Sequence, residues 1–231
     1  MSTTSTAATC DPFLQKQGQD RASAYFRRRR FAMIEPLIQK TFAERGSCSI
    51  IDVGGREEYW TPILPTLQAC NARVTVVNLE QTQPRPGKLF EFAFGDACNL
   101  RDYADQAFDF AHSNSLIEHV GRWGDMKRCA GEIKRVAKRY YVQTPYYWFP
   151  LEPHFRVPFF HWLPEQLRAR LVMNFKIGYF NRATSLDQAM HNVQSAYLLD
   201  KLQMCELFSD ADVGFERVAG IPKSLVAVRD L

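Results

Sequence analysis

No run of apolar residues in this chain approaches the ~18 that a membrane span requires, and its first residues lack the charged-then-apolar pattern of a secretory signal. A cytoplasmic protein without integral membrane contact is therefore expected. The six cysteines (Cys10, Cys48, Cys70, Cys98, Cys129, Cys205) form no CxxC pair and no His/Cys cluster at zinc spacing. Scattered thiols of this kind fit a reducing compartment, not a disulfide framework. Net charge is also scarce, +4 over 231 residues, and the arginines at 27–30 account for all of it. At ~100° per residue four consecutive arginines fan around a helix and make no stripe, so no nucleic-acid partner is expected. Three motifs are missing as well. Without GxGxxG after the first strand, GxxxxGK[ST] or GxSxG, the chain is set apart from nicotinamide dehydrogenases, phosphate-loop NTPases and α/β-hydrolases.

What remains is ordinary globular composition, 46% hydrophobic and 23% charged. A chain this long buries roughly 70% of its unfolded surface in one domain. Residues 1–19 read as a disordered tail and 20–231 as a single domain, opening with a helical segment over 20–47. There Phe31, Ile34, Ile38 and Phe42 share one face, and Pro36 predicts a kink or a second helix start. Strands are predicted at 49–53, 73–79, 89–94, 108–113 and 139–143. Helices are predicted at about 57–70, 100–106, 126–137, 164–173 and 186–208. Two last strands, 214–219 and 224–228, are joined at Gly220-Ile221-Pro222. Strand–helix alternation gives parallel units with helices on both faces, and the short final connection gives an antiparallel hairpin.

In such a sheet, ligands bind beyond the carboxyl ends of the strands where the strand order reverses. The residues just past each strand are informative here. After the first strand comes IIDVGG, whose glycines permit a sharp turn leading to the N–H groups of the next helix. After the second come Asn78, Leu79 and Glu80, and after the third Gly95, Asp96 and Ala97. After the fourth comes SNSLIEHV, residues 113–120.

The series DVGG, VVNLE, GDACNL and FDFAHSNSLIEHV resembles the class I S-adenosylmethionine-dependent methyltransferases, in particular the type 11 group, over residues 50–144. The resemblance implies a Rossmann-like α/β fold, with a mostly parallel seven-stranded sheet and S-adenosylmethionine as cofactor. It implies that Asp52, Gly54 and Gly55 wrap the methionine part and that Asn78, Leu79 and Glu80 hold the ribose. Gly95, Asp96 and Ala97 would read the adenine, and Ser113, Asn114 and Ser115 would lie near the transferring methyl. The implied activity is in-line methyl transfer to a small-molecule or glycan-like acceptor.

The chain departs from the family pattern in two places. Arg56 and Glu58 stand where further glycines are usual, and Asn78 stands where an acidic residue is usual, with Glu80 two positions on. These departures keep open a non-catalytic S-adenosylmethionine-binding protein of the same fold, and the arginine run keeps open an RNA methyltransferase.

Residues 146–163, YYWFPLEPHFRVPFFHWL, hold eight aromatics in eighteen residues. They read as an insertion that packs on the sheet edge and also covers the transfer site as a lid, where aromatic faces would exclude water and meet a sulfonium cation. A base for the acceptor's proton is sought among the histidines. His119 is the first candidate and His154 the second, each orientable by Glu118 or Glu152. His112 reads as a core residue, His161 as part of the lid, and His191 as a surface residue. Glu118, His119, Glu152 and His154 come from separate segments without HExxH spacing, so no metal site is expected.

Overall fold

The computed structural model describes residues 21–79 and 89–230; the expected tail, Glu80 and the Pro/Gly loop after the second strand lie outside the described residues. The strands are β1 (Cys48–Val53), β2 (Ala72–Asn78), β3 (Phe90–Phe94), β4 (Phe108–Asn114), β5 (Ala137–Pro145), β6 (Asp212–Val218) and β7 (Ile221–Arg229). The α-helices are α1 (Arg21–Arg45), α2 (Leu64–Ala69), α3 (Trp123–Val136), α4 (Glu165–Asn174), α5 (Leu186–Val193) and α6 (Lys201–Leu207). The seven strands form one sheet in the order β3-β2-β1-β4-β5-β7-β6. β1 to β5 run parallel, and β7 pairs antiparallel with both β5 and β6. The order reverses between β1 and β4, which creates a crevice at their carboxyl ends.

Side chains that alternate along each strand feed two cores. On one face Ile50, Val74, Phe110, Tyr141 and Val226 pack under α1 and α2 with Phe31, Ile34, Ile38, Trp60 and Leu67. On the other, Ile51, Val53, Ala111, Tyr140 and Val142 meet Met126, Cys129, Ile133 and Val136 of α3, with Met204 and Leu207 of α6. A third, separate cluster lies in the stretch between β5 and α6, where Phe155 and Phe160 pack with Ala169, Val172, Phe180, Ala183, Ala189 and Val193. No helix among the described residues is long and apolar enough to cross a membrane.

Four local expectations are corrected. α1 continues through Pro36 as one helix, so no second helix starts there. Pro36 and Ala32, whose carbonyl loses its helical partner there, are both on the exposed side of the helix. Residues 57–63 form two 3-10 turns, and the α-helix starts only at Leu64. Residues 100–106 form turns instead of a helix. The Arg135 guanidinium donates to the carbonyls of Leu100 and Tyr103, and Glu132 accepts from the Leu100 N–H, so α3 side chains take the backbone groups a helix would have used. The helix expected over 186–208 breaks in two, with Asp200 capping α6 through Gln203 in a reciprocal capping box.

Candidate functional site

The ends of β1, β2 and β3 form a shelf tied by backbone hydrogen bonds. The Gly54 N–H donates to Val77 O (2.8 Å) and the Gly95 N–H to Asn78 O (3.1 Å). Gly54 has φ +73°, and a Cβ there would come within 2.5 Å of Leu116 Cδ1. Both the turn and the close approach of the β4 loop require glycine. A Cβ on Gly55 would collide with the Asp52 carboxylate.

Asp52 is fully buried. Its Oδ2 accepts from Trp60 Nε1 (2.7 Å) and its Oδ1 lies 2.6 Å from His112 Nδ1. The carboxylate therefore supports the loop from beneath and offers no free oxygen to the crevice. This also corrects the idea of a helix N-terminus at the loop: the 3-10 turns carry Trp60 down onto Asp52, and α2 begins too late to present its N–H groups there.

Asn78 donates from Nδ2 to Gly55 O (3.4 Å), linking the first two loops. A carboxylate at this position would face a carbonyl with nothing to donate, which accounts for the amide. Leu79 is exposed, Ala97 is buried, and Asp96 is exposed while its Oδ1 accepts from the Cys98 N–H (2.8 Å). Beyond β4, the Ser113 hydroxyl donates to Val53 O, and Asn114 Oδ1 accepts from Arg30 Nη1. Arg30 also forms a two-armed pair with Glu216 (3.0 and 2.8 Å). Arg27 sits over the Tyr59 ring, so only Arg28 and Arg29 of the four arginines are exposed.

The second part of the site follows the ends of β4 and β5. Ser115 takes φ +53°, a left-handed conformation uncommon for a residue bearing a Cβ. Gln143 of β5 holds it there, accepting from the Ser115 N–H (2.9 Å) at its carbonyl and from the Ser115 hydroxyl (3.1 Å) at Oε1. The turn launches a short 3-10 helix, Ile117–His119, that delivers Glu118 and His119. Glu118 is fully buried; its Oε2 accepts from the Thr144 hydroxyl (2.9 Å), and its Oε1 has no hydrogen-bond partner among the described residues.

His119 Nδ1 lies 2.8 Å from Ser195 O, and His119 Nε2 lies 3.2 Å from Nε2 of His154. Behind His154, Glu152 Oε1 is 2.8 Å from its Nδ1, while Glu152 Oε2 accepts from the Phe155 N–H. The segments that the sequence keeps apart are thus brought together, and ligand atoms of Glu118, His119 and His154 all lie within 4.8 Å of one another. The expectation of dispersed ligands is corrected: the turn after β4 and the stretch after β5 lie side by side because β4 and β5 are paired neighbours.

A cavity of about 110 Å³ adjoins this pair, lined by Tyr147, His154, His161, Arg168, Ser195 and Tyr197 among others. Burial holds the Arg168 guanidinium below its ordinary pKa, and its Nε has no hydrogen-bond partner among the described residues. Burial likewise pushes the His161 imidazole below its usual range, so it sits neutral at pH 7 with Nε2 against Tyr147 O (2.7 Å). Of the aromatics in residues 146–163, Phe155 and Phe160 fill the third core, whereas Trp148, Phe159 and Trp162 are exposed. His191 is exposed and His112 buried, as expected.

Sequence reasoning missed Thr144, Ser195 and Arg168. Thr144 carried a usable signal, since it is the polar residue at the end of the fifth strand. Ser195 contributes only its carbonyl, which no side-chain pattern marks.

Residues 51–140 match the family described as a methyltransferase domain. Over 64 residues the chain is 34% identical to an uncharacterized protein of Mycobacterium tuberculosis; the match covers 27% of this chain and only 22% of that relative's length. Magnesium protoporphyrin IX methyltransferase from Synechocystis PCC 6803, solved with bound S-adenosylhomocysteine, superposes with TM-score 0.50 at 12% identity, covering 94% of this chain and 93% of that one. A 1,6-didemethyltoxoflavin-N1-methyltransferase from Burkholderia thailandensis gives TM-score 0.49 at 16% identity, with 96% and 91% covered. Over that matched segment, which is less than half of the chain, the protein is similar to a methyltransferase domain, and the strand order agrees with a Rossmann-like fold.

Proposed function

We propose that the protein transfers a methyl group from S-adenosylmethionine to a small polar acceptor bound in the cavity lined by the stretch that follows β5. The observation that carries this reading is the His119–His154 pair, backed by Glu152 and set beside that cavity. When bound, the cofactor supplies an electrophilic methyl on a sulfonium sulfur.

The residues of the shelf fit such a group. The glycines at 54 and 55 let the loop turn tightly against Leu116 and the Asp52 carboxylate, the exposed Asp96 suits an adenine amino group, and Asn78 suits a ribose hydroxyl. On the acceptor side, the chain positions the nucleophile and disposes of its proton. The His119–His154 pair serves that second need, with Ser195 O and Glu152 fixing the two rings. Arg168, with a buried N–H lacking a partner, favours an acceptor that brings an acidic oxygen to the cavity, and the unpartnered His161 Nδ1, an acceptor while Nε2 donates to Tyr147 O, favours a hydroxyl that donates.

The test is a panel of small hydroxy acids, their methyl esters and simple sugars, incubated with S-adenosylmethionine while S-adenosylhomocysteine release is followed. Release with the free acids and not with the esters is expected. Absence of cofactor binding at millimolar concentration by calorimetry would refute the reading.

A further inference from the structure

We propose that Glu118, His119 and His154 form a binding site for a divalent transition-metal cation of the zinc type. The proposal refines the methyl-transfer reading, on which it rests for its place beside the acceptor cavity; the site itself is argued from its own geometry.

The first observation concerns the imidazole protons. His119 Nδ1 faces the carbonyl of Ser195 at 2.8 Å, and a carbonyl only accepts. His154 Nδ1 faces Glu152 Oε1 at 2.8 Å, and Glu152 is itself held by the Phe155 N–H. In a neutral imidazole one nitrogen carries the proton, and both rings use theirs on Nδ1. The two Nε2 atoms then meet lone pair to lone pair at 3.2 Å. Neither can donate to the other, so a positive species between them reconciles the contact.

Acceptors of this kind on the far nitrogen are what hold metal-binding histidines in the right tautomer and orientation. The spacing of the two Nε2 atoms fits as well: ligands on a tetrahedral ion with bonds of ~2.0–2.1 Å lie about 3.3 Å apart.

The second observation is independent of the rings. Glu118 is fully buried, and its Oε1, 4.0 Å from His119 Nε2, has no hydrogen-bond partner among the described residues, whereas its Oε2 is held by Thr144. One carboxylate oxygen is thereby fixed and the other is directed toward the histidine pair. Two buried carboxylates, Glu118 and Glu152, flank two imidazoles; Arg168 faces Glu152 across the cavity, and a cation between the imidazoles would answer Glu118. Two imidazoles and one carboxylate suit zinc and its first-row neighbours better than magnesium or calcium, which prefer all-oxygen sites. Three protein ligands leave a fourth position open, as in catalytic zinc sites. His154 also lines the cavity, so an acceptor oxygen bound there would reach the ion. On this account the pair acts on the acceptor's proton through the cation, which lowers the hydroxyl pKa, and the imidazoles serve as ligands.

The experiment titrates the purified full chain, stripped with a chelator and without cofactor, with zinc and with cobalt(II). One ion per chain is expected, with the visible absorption of tetrahedral cobalt. Glu118→Gln and His154→Ala should each weaken binding by about tenfold or more, and Glu152→Gln, which touches no ion, by about 10–100-fold. Wild-type thermal stability should rise with zinc concentration. Substoichiometric binding overturns the proposal, as does binding that these variants leave unchanged, which would place the ion elsewhere on the chain. Absence of the cobalt signature with normal S-adenosylmethionine binding also overturns it, assigns a shared proton to the histidine pair, and leaves the methyl-transfer reading intact. The cobalt signature in a chain that binds no S-adenosylmethionine supports the site and refutes that reading. The wild-type measurement and the mild Glu152→Gln change do not depend on whether the harsher variants fold.

Discussion

The two ends of the crevice are built on different principles. Beyond β1, β2 and β3 the loops are shaped by backbone: Gly54 at positive φ, Gly55 over a buried carboxylate, and main-chain ties from Gly54 to Val77 and from Gly95 to Asn78. Beyond β4 and β5 the work falls to side chains, Glu118, His119, Glu152 and His154, whose polar atoms converge from residues more than thirty positions apart. Under the proposed function, a common cofactor would be met by a shape that local sequence can encode, and an acceptor by chemical groups that only the tertiary fold assembles.

The largest effect that sharpens this contrast is kinetic. His119→Ala should lower kcat by about 10²–10⁴-fold, and His119→Gln nearly as much, with cofactor affinity almost unchanged. Steady-state rates alongside calorimetry of S-adenosylmethionine check this. A glutamine variant with near-normal turnover would mean that the side chains of this end do not carry the chemistry.

At the opposite end, Gly54→Ala should cost about 1–3 kcal/mol of stability and weaken the cofactor, because a Cβ meets both the left-handed φ and Leu116. Leu116→Ala in the same chain removes the collision but not the φ strain, so the two changes should combine to less than their sum. Urea melts of the double-mutant cycle decide it, and strict additivity would show that the loops do not press on each other.

The smallest effect lies beside the crevice at Lys223, whose ammonium sits 4.0 Å from the Phe26 ring centroid. Burial, then Arg30, lowers its pKa to about 8 from 10.5. Between those values the unfolded chain binds the extra proton, so this group makes stability rise as pH climbs from about 8 to 10.5. Lys223→Met should flatten that slope in thermal melts taken across the interval. An unchanged slope would mean that the lysine is hydrated in the folded chain.

How much of this was legible in the sequence follows the same division. All seven strands fall within a few residues of their predicted places, because buried β-branched and aromatic runs between turn residues are local signals. The strand-end order that marked the family is local too. The helix expected at 100–106 failed because its backbone partners, Glu132 and Arg135, sit on another helix. The break before α6 was readable, since Asp200 and Gln203 have capping-box spacing. Asp52 looked like a ligand because a strand-end carboxylate usually is one; its partners Trp60 and His112 became visible only once the chain folded. Likewise, separation in sequence argued against grouping Glu118 and His119 with His154, but β4 and β5 pair along their length and remove that separation.

The third hydrophobic cluster separates heritable change on the acceptor side from the rest of the fold. Phe155, Phe160, Val172 and Ala189 pack among themselves, so substitutions there alter the wall around His161 and Arg168 without disturbing the two cores that hold the sheet. Under the proposed function, a change of acceptor would be written in residues 146–193, while the turns at Gly54 and Gly95 stay as they are.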